Sequence, residues 1–306
     1  MISIVIPVYN EGISLVTFCE EIILCLQKSS QNYELILVDD RSTDDSWEIM
    51  KSISEANDKV ISVRLIRNFG QHSALTVGLE YSSGDFAILM DCDGQDDPKY
   101  IIKLYEKITS CSLDVIYAKR QERKDSLISR FGSIFVNFLF TKLSGINFDP
   151  RIGTFRIISR KAINAYLSLP EKRRYFGGLF FWLGFESDFI DVIHRKRGEG
   201  KSTYSILKRI KLTRIGLLNS STKLLSLGTY FGIVSGIISF LSILYFLYMK
   251  LVYDAPLGYT SIIVSIFFVG SILMLLLGII GEYLSEIYYE VKGRPNYIVD
   301  EVIKKT

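Results

Sequence analysis

The sequence predicts an α/β protein: a sheet of parallel strands covered by helices on both faces, followed by two membrane-spanning helices. Three observations lead there. β-branched apolar runs recur about every 30 residues through the first third of the chain, with helix-like segments between them, and this is the βαβ rhythm of a parallel sheet. Two long stretches toward the C-terminus carry no charged residue. Polar side chains gather where the apolar runs stop, not along them.

The chain opens on "MISIVIPVYNEG", a strand with no basic segment before it and no cleavage site after it, so this region is expected in the cytoplasm. A helix-like segment near 14–28 follows, then the strand "YELILVDD", a helix near 45–55, the strand "VISVRLIR", a helix near 70–82, the strand "DFAILMD" and a helix near 98–108. Ligands of such sheets bind outside the carboxyl ends of the strands. Here those ends read "PVYNEG", "VDDRSTDDS", "RNFGQHSA" and "DCDGQDDP", and four polar exits on one edge describe a site. No GxGxxG follows the first strand and no GxxxxGK[ST] occurs, which removes the dinucleotide fingerprint and the P-loop. A sugar-nucleotide site built from carboxylates and a metal remains.

Farther along, residues 205–223 mix Lys208, Arg209, Lys211 and Arg214 with Ile206, Leu207, Ile210, Leu217 and Leu218, the pattern of a helix lying at lipid headgroups. The uncharged runs 224–249 and 256–281 each exceed the roughly 20 residues that cross a hydrocarbon core of about 30 Å. The "KLVYD" between them reads as a hairpin turn. Nine Lys or Arg and a single acid, Glu199, lie between 195 and 223, and Lys292, Arg294, Lys304 and Lys305 follow the second run, whereas the turn holds only Lys250 and Asp254. Basic flanks stay in the cytoplasm. The expected division is a cytoplasmic catalytic domain at 1–204, an interfacial helix at 205–223, a transmembrane hairpin within 224–282, and a cytoplasmic tail at 283–306, in a multi-pass protein of the inner (plasma) membrane. Glu282, Glu286 and Glu290 recur every four residues and share a helix face, as a solvated or helix-contacting stripe.

Composition narrows the partners. A net charge of +3 is too small for nucleic-acid binding, since the basic excess is local. The four cysteines, Cys19, Cys25, Cys92 and Cys111, form no CxxC and suit a reducing compartment.

The fourth strand exit is the most informative. Asp91, Asp93, Asp96 and Asp97 crowd together in "FAILMDCDGQDDPKY", and carboxylates that close raise one another's pKa unless a cation sits among them. Asp91 and Asp93 flank one residue, and hard oxygen ligands of this kind suit Mg²⁺ or Mn²⁺, completed by water and substrate phosphate. A calcium loop counted from Asp91 requires Gly sixth and Glu twelfth, where this chain has Asp96 and Ile102. Zinc lacks ligands, because His72 and His194 stand apart and no cysteine cluster exists.

Taken with "IPVYNEG", "LVDDRSTDDS", "RNFGQHSALTVGL", "RRYFGGLFFWLGF", "GKSTYS" and "GIIGEYLSEIYYEVKGRPNYIV", the chain resembles a family-2 glycosyltransferase over essentially its whole length. Within that family it is similar to the bacterial polyprenyl-phosphate (bactoprenol) glycosyltransferases, relatives of dolichol-phosphate mannose synthase. The resemblance implies a GT-A nucleotide-diphosphosugar fold and a homo-oligomeric, metal-dependent enzyme. Its reaction would be inverting transfer of one sugar, first of all from UDP-glucose, to polyprenyl (undecaprenyl) phosphate for cell-envelope glycosylation. A synthase or transferase using another acceptor, such as a polysaccharide, and a non-catalytic membrane scaffold are the alternatives.

Residue by residue, the resemblance implies that Pro7, Tyr9, Glu11, Asp39 and Asp40 hold base and ribose, and that Asp91, Asp93 and Gln95 surround the metal and diphosphate. Arg120, Arg130 and Arg156 would bring positive charge to the phosphates, which arginine clamps with paired donors. Arg197, Lys201 and Ser202 would lie on a loop closing over them. The chain departs from the family at Gly153-Thr154-Phe155-Arg156, where Gly-Asp-Phe-Arg is common and its Asp is a candidate base. Thr is no base at neutral pH, so Asp149 enters as a substitute beside Asp93, Arg156 and Thr154 in the catalytic set, with Thr154 expected to orient Arg156 or to bond a phosphate oxygen. An acceptor phosphate needs no base, because a phosphate monoester has its second pKa near 6 and is mostly dianionic at pH 7.

Overall fold

The early strands are apolar on both sides because both faces of the sheet are covered. The computed structural model describes residues 1–29, 31–121, 149, 151–171, 176–193, 195, part of 230–252, and 258–305. In chain order it contains β1 (Ile2–Val8), α1 (Gly12–Lys28), β2 (Tyr33–Asp39), α2 (Ser46–Ala56), β3 (Val60–Leu65), α3 (Gln71–Glu80), β4 (Phe86–Leu89) and α4 (Tyr100–Cys111). These are followed by β5 (Val115–Arg120), β6 (Ile152–Ser159), α5 (Arg160–Ser168), α6 (Phe176–Trp182), β7 (Ser187–Val192), α7 (Tyr259–Val291) and β8 (Val299–Lys304). Alternate residues of a strand point to opposite faces. Accordingly Ile2, Ile4 and Ile6 pack beneath Leu15, Phe18, Ile22 and Leu26 of α1 and Leu104 of α4, while Val5, Ile36 and Val38 meet Ala74 and Leu75 of α3 together with Tyr166, Phe176 and Phe180 on the other face.

The eight strands form one sheet in the order β7-β5-β6-β4-β1-β2-β3-β8. β1 pairs in parallel with both β2 and β4, so the chain runs outward in one direction from β1 to β3 and resumes on its other side at β4. The crevice at this reversal is where a sheet of this class binds ligands. The sheet is mixed, in contrast to the parallel one expected from the repeat. β6 is antiparallel to β4 and β5, and β8 is antiparallel to β3. An antiparallel β6 starts at the edge where its neighbours end. Its register with β4 pairs Leu89 with Arg156, and continuing that register by two residues sets Asp91 against Thr154.

The C-terminal part also differs from the expected tail. α7 spans 33 residues, and its portion Phe268–Val291 is long and apolar enough to cross a membrane, with none of it buried against the rest of the chain. After residues 292–298 the chain rejoins the sheet as β8, with Val299 beside Leu65 at the end of β3. The Ile66 N–H bonds the Ile298 carbonyl at 3.0 Å, and Asp300 pairs with Arg41 at 2.7 Å. Of the two spans expected, α7 is the one such helix among the described residues. The described residues between 230 and 252 are helical, and the interfacial segment 205–223 lies outside the described residues.

Candidate active site

The first two strand exits are stitched together. Asn10, at φ 58°, donates its N–H to Ser42 Oγ at 3.0 Å and accepts the Thr43 N–H on its Oδ1 at 2.8 Å. The Glu11 N–H bonds Ser46 Oγ and the Gly12 N–H bonds Asp44 Oδ2. Pro7 is the last-but-one residue of β1, opposite Val38, and Tyr9 stands half-exposed at the mouth.

Asp39 is fully buried. It accepts the Ser42 N–H at 2.9 Å and pairs with Arg64 at 3.3 Å. Asp40 was expected at base and ribose, but both of its oxygens are engaged elsewhere, accepting the Phe69 N–H at 2.7 Å and the Gly70 N–H at 2.8 Å. Its role is to hold the loop before α3. Burial, assisted by the charge of Asp39 and opposed by those two N–H bonds, pushes its carboxyl up to about 6. Gly70 precedes α3 at φ 94°, a conformation open to glycine and strained for other residues, so the clamp determines where α3 begins.

That start places Gln71, which sequence reasoning missed. Its side-chain Nε2 donates to Asp91 Oδ1 at 2.6 Å and to Thr154 Oγ1 at 3.3 Å. The crowded carboxylates divide into two pairs. Asp96 and Asp97 are buried and serve the turn: Asp96 Oδ2 accepts the Asp91 N–H at 3.0 Å, and Asp97 pairs with Lys99 and Arg195. Asp91 and Asp93 remain for the crevice, with the Asp93 Oδ1 accepting the Gln95 N–H at 3.1 Å. The Gln95 carbonyl accepts the Arg195 N–H at 3.1 Å, so the described chain beyond β7 runs beside this turn. Burial first, then the charge of Asp93, raise the Asp91 carboxyl above the usual range, and Arg120, Thr154 and Arg156 pull it back.

This donor set fits a hard divalent cation, because two facing carboxylates in a partly dry crevice repel unless a positive charge joins them. Among the described residues no group of three or more His, Cys, Asp and Glu side chains is arranged to hold a metal. A cation held by Asp91 and Asp93 would need its other ligands from water or a bound phosphate, as Mg²⁺ commonly does.

β6 carries two expected residues, Thr154 and Arg156, and sets Gly153 against Arg120 of β5. A Cβ on Gly153 would lie 2.7 Å from Arg120 Nη2, so glycine lets that guanidinium rest on the strand, from where its charge acts on Asp91 and Asp96. Arg156, expected at the phosphates, is instead enclosed in the fold. It is 2% exposed, donates to the carbonyls of Thr154 at 3.1 Å and Gly153 at 2.7 Å, and lies over the rings of Tyr117 and Phe176 at 5.1 and 5.3 Å. It is thus the Thr154 carbonyl, not the hydroxyl, that bonds Arg156. Asp149 is corrected as well. It is held by Arg151 at 2.7 Å and Lys119 at 3.0 Å, and these bonds keep its carboxyl far below the usual range, which makes it a poor proton acceptor. Arg130, Arg197, Lys201 and Ser202 lie outside the described residues.

His72, next to Gln71, stacks on Phe176 at 6.3 Å, with Nδ1 sealed from solvent. Burial, then the Arg156 charge, lower its pKa to about 4. An unfolded histidine titrates near 6.5, so between these values the unfolded chain binds the extra proton. Stability is therefore full above pH 6.5 and is lost as pH falls toward 4, by on the order of 3 kcal/mol from this ring. The melting temperature of the purified protein should drop from pH 7 to pH 5 more steeply than that of a His72→Phe variant. Parallel curves would show that the ring does not stay neutral.

Comparisons with known proteins agree with this geometry. The family model described as "Glycosyl transferase family 2" matches residues 3–167. An uncharacterized glycosyltransferase of Synechocystis sp. is 34% identical over 307 residues, covering 98% of this chain and 95% of that protein. The bactoprenol glucosyl transferase of Shigella phage SfII is 32% identical over 300 residues, covering 97% of each. Among solved structures, the glucosyl-3-phosphoglycerate synthase of Mycobacterium tuberculosis, in complex with Mn²⁺, UDP and phosphoglyceric acid, shares the fold at a TM-score of 0.52 and 20% identity, over 71% of this chain and 76% of that one.

Proposed function

Since the chain belongs to glycosyl transferase family 2 and has the GT-A fold, we propose that it transfers one sugar, with inversion, from a nucleotide-diphosphosugar to a polyprenyl phosphate at the cytoplasmic face of the membrane. UDP-glucose is the first donor to try. Relatives named as bactoprenol glucosyl transferases match it nearly end to end, and this supports both the glucosyl group and the lipid acceptor.

The observation that carries the reading is the return of α7 to the sheet. β8 begins at the end of β3, on the edge that also carries Asp91, Asp93 and Thr154. Residues 292–298 span at most roughly 25 Å when extended. A long apolar helix is therefore tethered close to the carboxyl edge of the sheet, which suits an acceptor whose phosphate stays at the headgroups.

In this reading Asp91 and Asp93, with Gln95 in the same turn, hold Mg²⁺ or Mn²⁺, which when bound offsets negative charge on the departing diphosphate. The stitched loops at 9–12 and 42–46, with Pro7, Tyr9, Glu11 and Asp39, form the nucleotide side, and Asp40 acts on it through the 66–70 loop. Arg120 supplies cationic charge at the phosphates. Neither Thr154 nor Asp149 offers a base, and a dianionic phosphate requires none. What the residues must supply is alignment and charge neutralisation. Arg130, Arg197, Lys201 and Ser202 complete the phosphate shell in this proposal, and 205–249 complete the membrane attachment of a homo-oligomeric, multi-pass enzyme.

Membranes incubated with a panel of radiolabelled nucleotide sugars and then extracted with organic solvent test the proposal. Label in a mild-acid-labile lipid, strongest with UDP-glucose, is expected. Label in polymer, or none, would overturn it. Because each basic residue near an anionic surface contributes about 1 kcal/mol, neutralising Lys208, Arg209 and Lys211 together should raise the KM for lipid well above any change in the KM for nucleotide sugar. An unchanged lipid KM would remove 205–223 from the interface.

A further inference from the structure

We propose that Gln71 is a positioning residue for the carboxylate Asp91, acting together with Thr154; this rests on the metal-dependent reading above. A glutamine amide has two N–H hydrogens on one nitrogen, and both are committed here, one to Asp91 Oδ1 at 2.6 Å and one to Thr154 Oγ1 at 3.3 Å. The Thr154 hydroxyl, having accepted from Gln71, still has its own hydrogen to give, and its hydrogen-bonding influence favours the charged form of the neighbouring Asp91 carboxyl. In the proposed arrangement these contacts close a ring: one Gln71 hydrogen ends on Asp91, the other on the Thr154 hydroxyl, and that hydroxyl turns its own hydrogen to Asp91. Such mutually polarised bonds strengthen one another in a poorly hydrated site.

The three members come from separate elements. Gln71 opens α3, Asp91 follows β4, and Thr154 lies in β6, against Asp91 in the continued register. Each is independently held. Asp40 clamps the two residues before Gln71, Asp96 accepts the Asp91 N–H, and Arg156 grips the Thr154 carbonyl. The amide and the hydroxyl orient Asp91 without neutralising it, so its charge stays available to a cation. Threonine at 154 has a reason in this arrangement. A carboxylate there would accept from Gln71, but it would have no hydrogen to give Asp91 and would add a further negative charge beside Asp93.

Partners that orient a metal ligand commonly change affinity or activity 10- to 100-fold when removed. Mn²⁺ binding to the purified full-length protein, followed by electron paramagnetic resonance with UDP present, should weaken by about that factor in Gln71→Leu. Gln71→Glu, the same shape with a donor turned into an acceptor, should bind no better than Leu. Thr154→Val should weaken binding by a smaller factor, about tenfold, and add little on top of Gln71→Leu because the ring is already open. A residue serving only to pack or to start a helix predicts instead that Gln71→Glu binds as wild type. If Gln71→Leu does not fold, Thr154→Val and Gln71→Glu carry the test. Wild-type binding with unchanged affinity in these variants would overturn this assignment alone, and absence of Mn²⁺ binding by the wild type would overturn the metal reading with it.

Discussion

Asp93→Asn should reduce kcat/KM for sugar transfer by roughly a thousandfold or more, with the melting temperature almost unchanged. The side-chain carbonyl of asparagine still accepts the Gln95 N–H that Asp93 Oδ1 accepts at 3.1 Å, so the turn survives. What disappears, in the proposed reading, is one of the two carboxylates that would hold the divalent cation. Losing a charged ligand removes several kcal/mol of stabilisation from the departing diphosphate, and about 4 kcal/mol corresponds to a thousandfold in rate. Excess EDTA should have the same effect on the wild type, reversed by Mg²⁺ or Mn²⁺. Full turnover in EDTA, or an Asn variant within tenfold of wild type, would show that the carboxylates serve the turn and not the reaction.

The second large effect is expected at Arg156, and it falls on stability. A phosphate-binding arginine could be replaced by methionine at little structural cost, leaving a folded protein with a raised donor KM. The structure predicts otherwise. The guanidinium is enclosed by Tyr117, Phe176 and Phe180 and satisfies the Gly153 and Thr154 carbonyls. Truncation to alanine leaves a cavity among the rings and two carbonyls short of donors. Together these should cost about 3–5 kcal/mol, or a fall of roughly 10 °C or more in melting temperature for a domain of this size. Arg156→Lys should recover part of the loss, since an ammonium keeps the charge over the rings but cannot reproduce the planar fork. A folded, thermally normal Arg156→Ala with only a raised donor KM would restore the phosphate contact.

These expectations show where sequence reasoning reached its end. The strands β1 to β4 were legible because both of their faces are buried, so burial is written along the chain as short, unbroken apolar runs. The strand exits were legible for a related reason: polar groups at the end of a buried strand have no partner in the sheet, and in this fold they collect on one edge. The pairing of Asp91 with Asp93, the absence of a P-loop and the likeness to family 2 followed from residues close together in sequence. Asp40 and Arg156 were found as residues, but the protein groups that engage them were not. Nothing within "LVDDRS" says that one aspartate meets Arg64 and the next meets the backbone of Phe69 and Gly70. The aromatic pair Phe176 and Phe180, one helical turn apart, was the available hint that something planar sits over that helix.

By itself, then, the sequence determined the α/β class, the edge on which the polar strand exits gather and the family. The tertiary structure alone decided that β6 and β8 run antiparallel, because strand direction depends on which sheet edge is open when a distant segment arrives. It alone shows that Gln71 bonds both Asp91 and Thr154 and that Asp149 is paired with Arg151 and Lys119. A side chain's chemistry is set by what surrounds it. For Gln71 those neighbours are 20 and 83 residues away, and only the antiparallel register of β6 brings Thr154 against Asp91, with Gln71 reaching both from the start of α3.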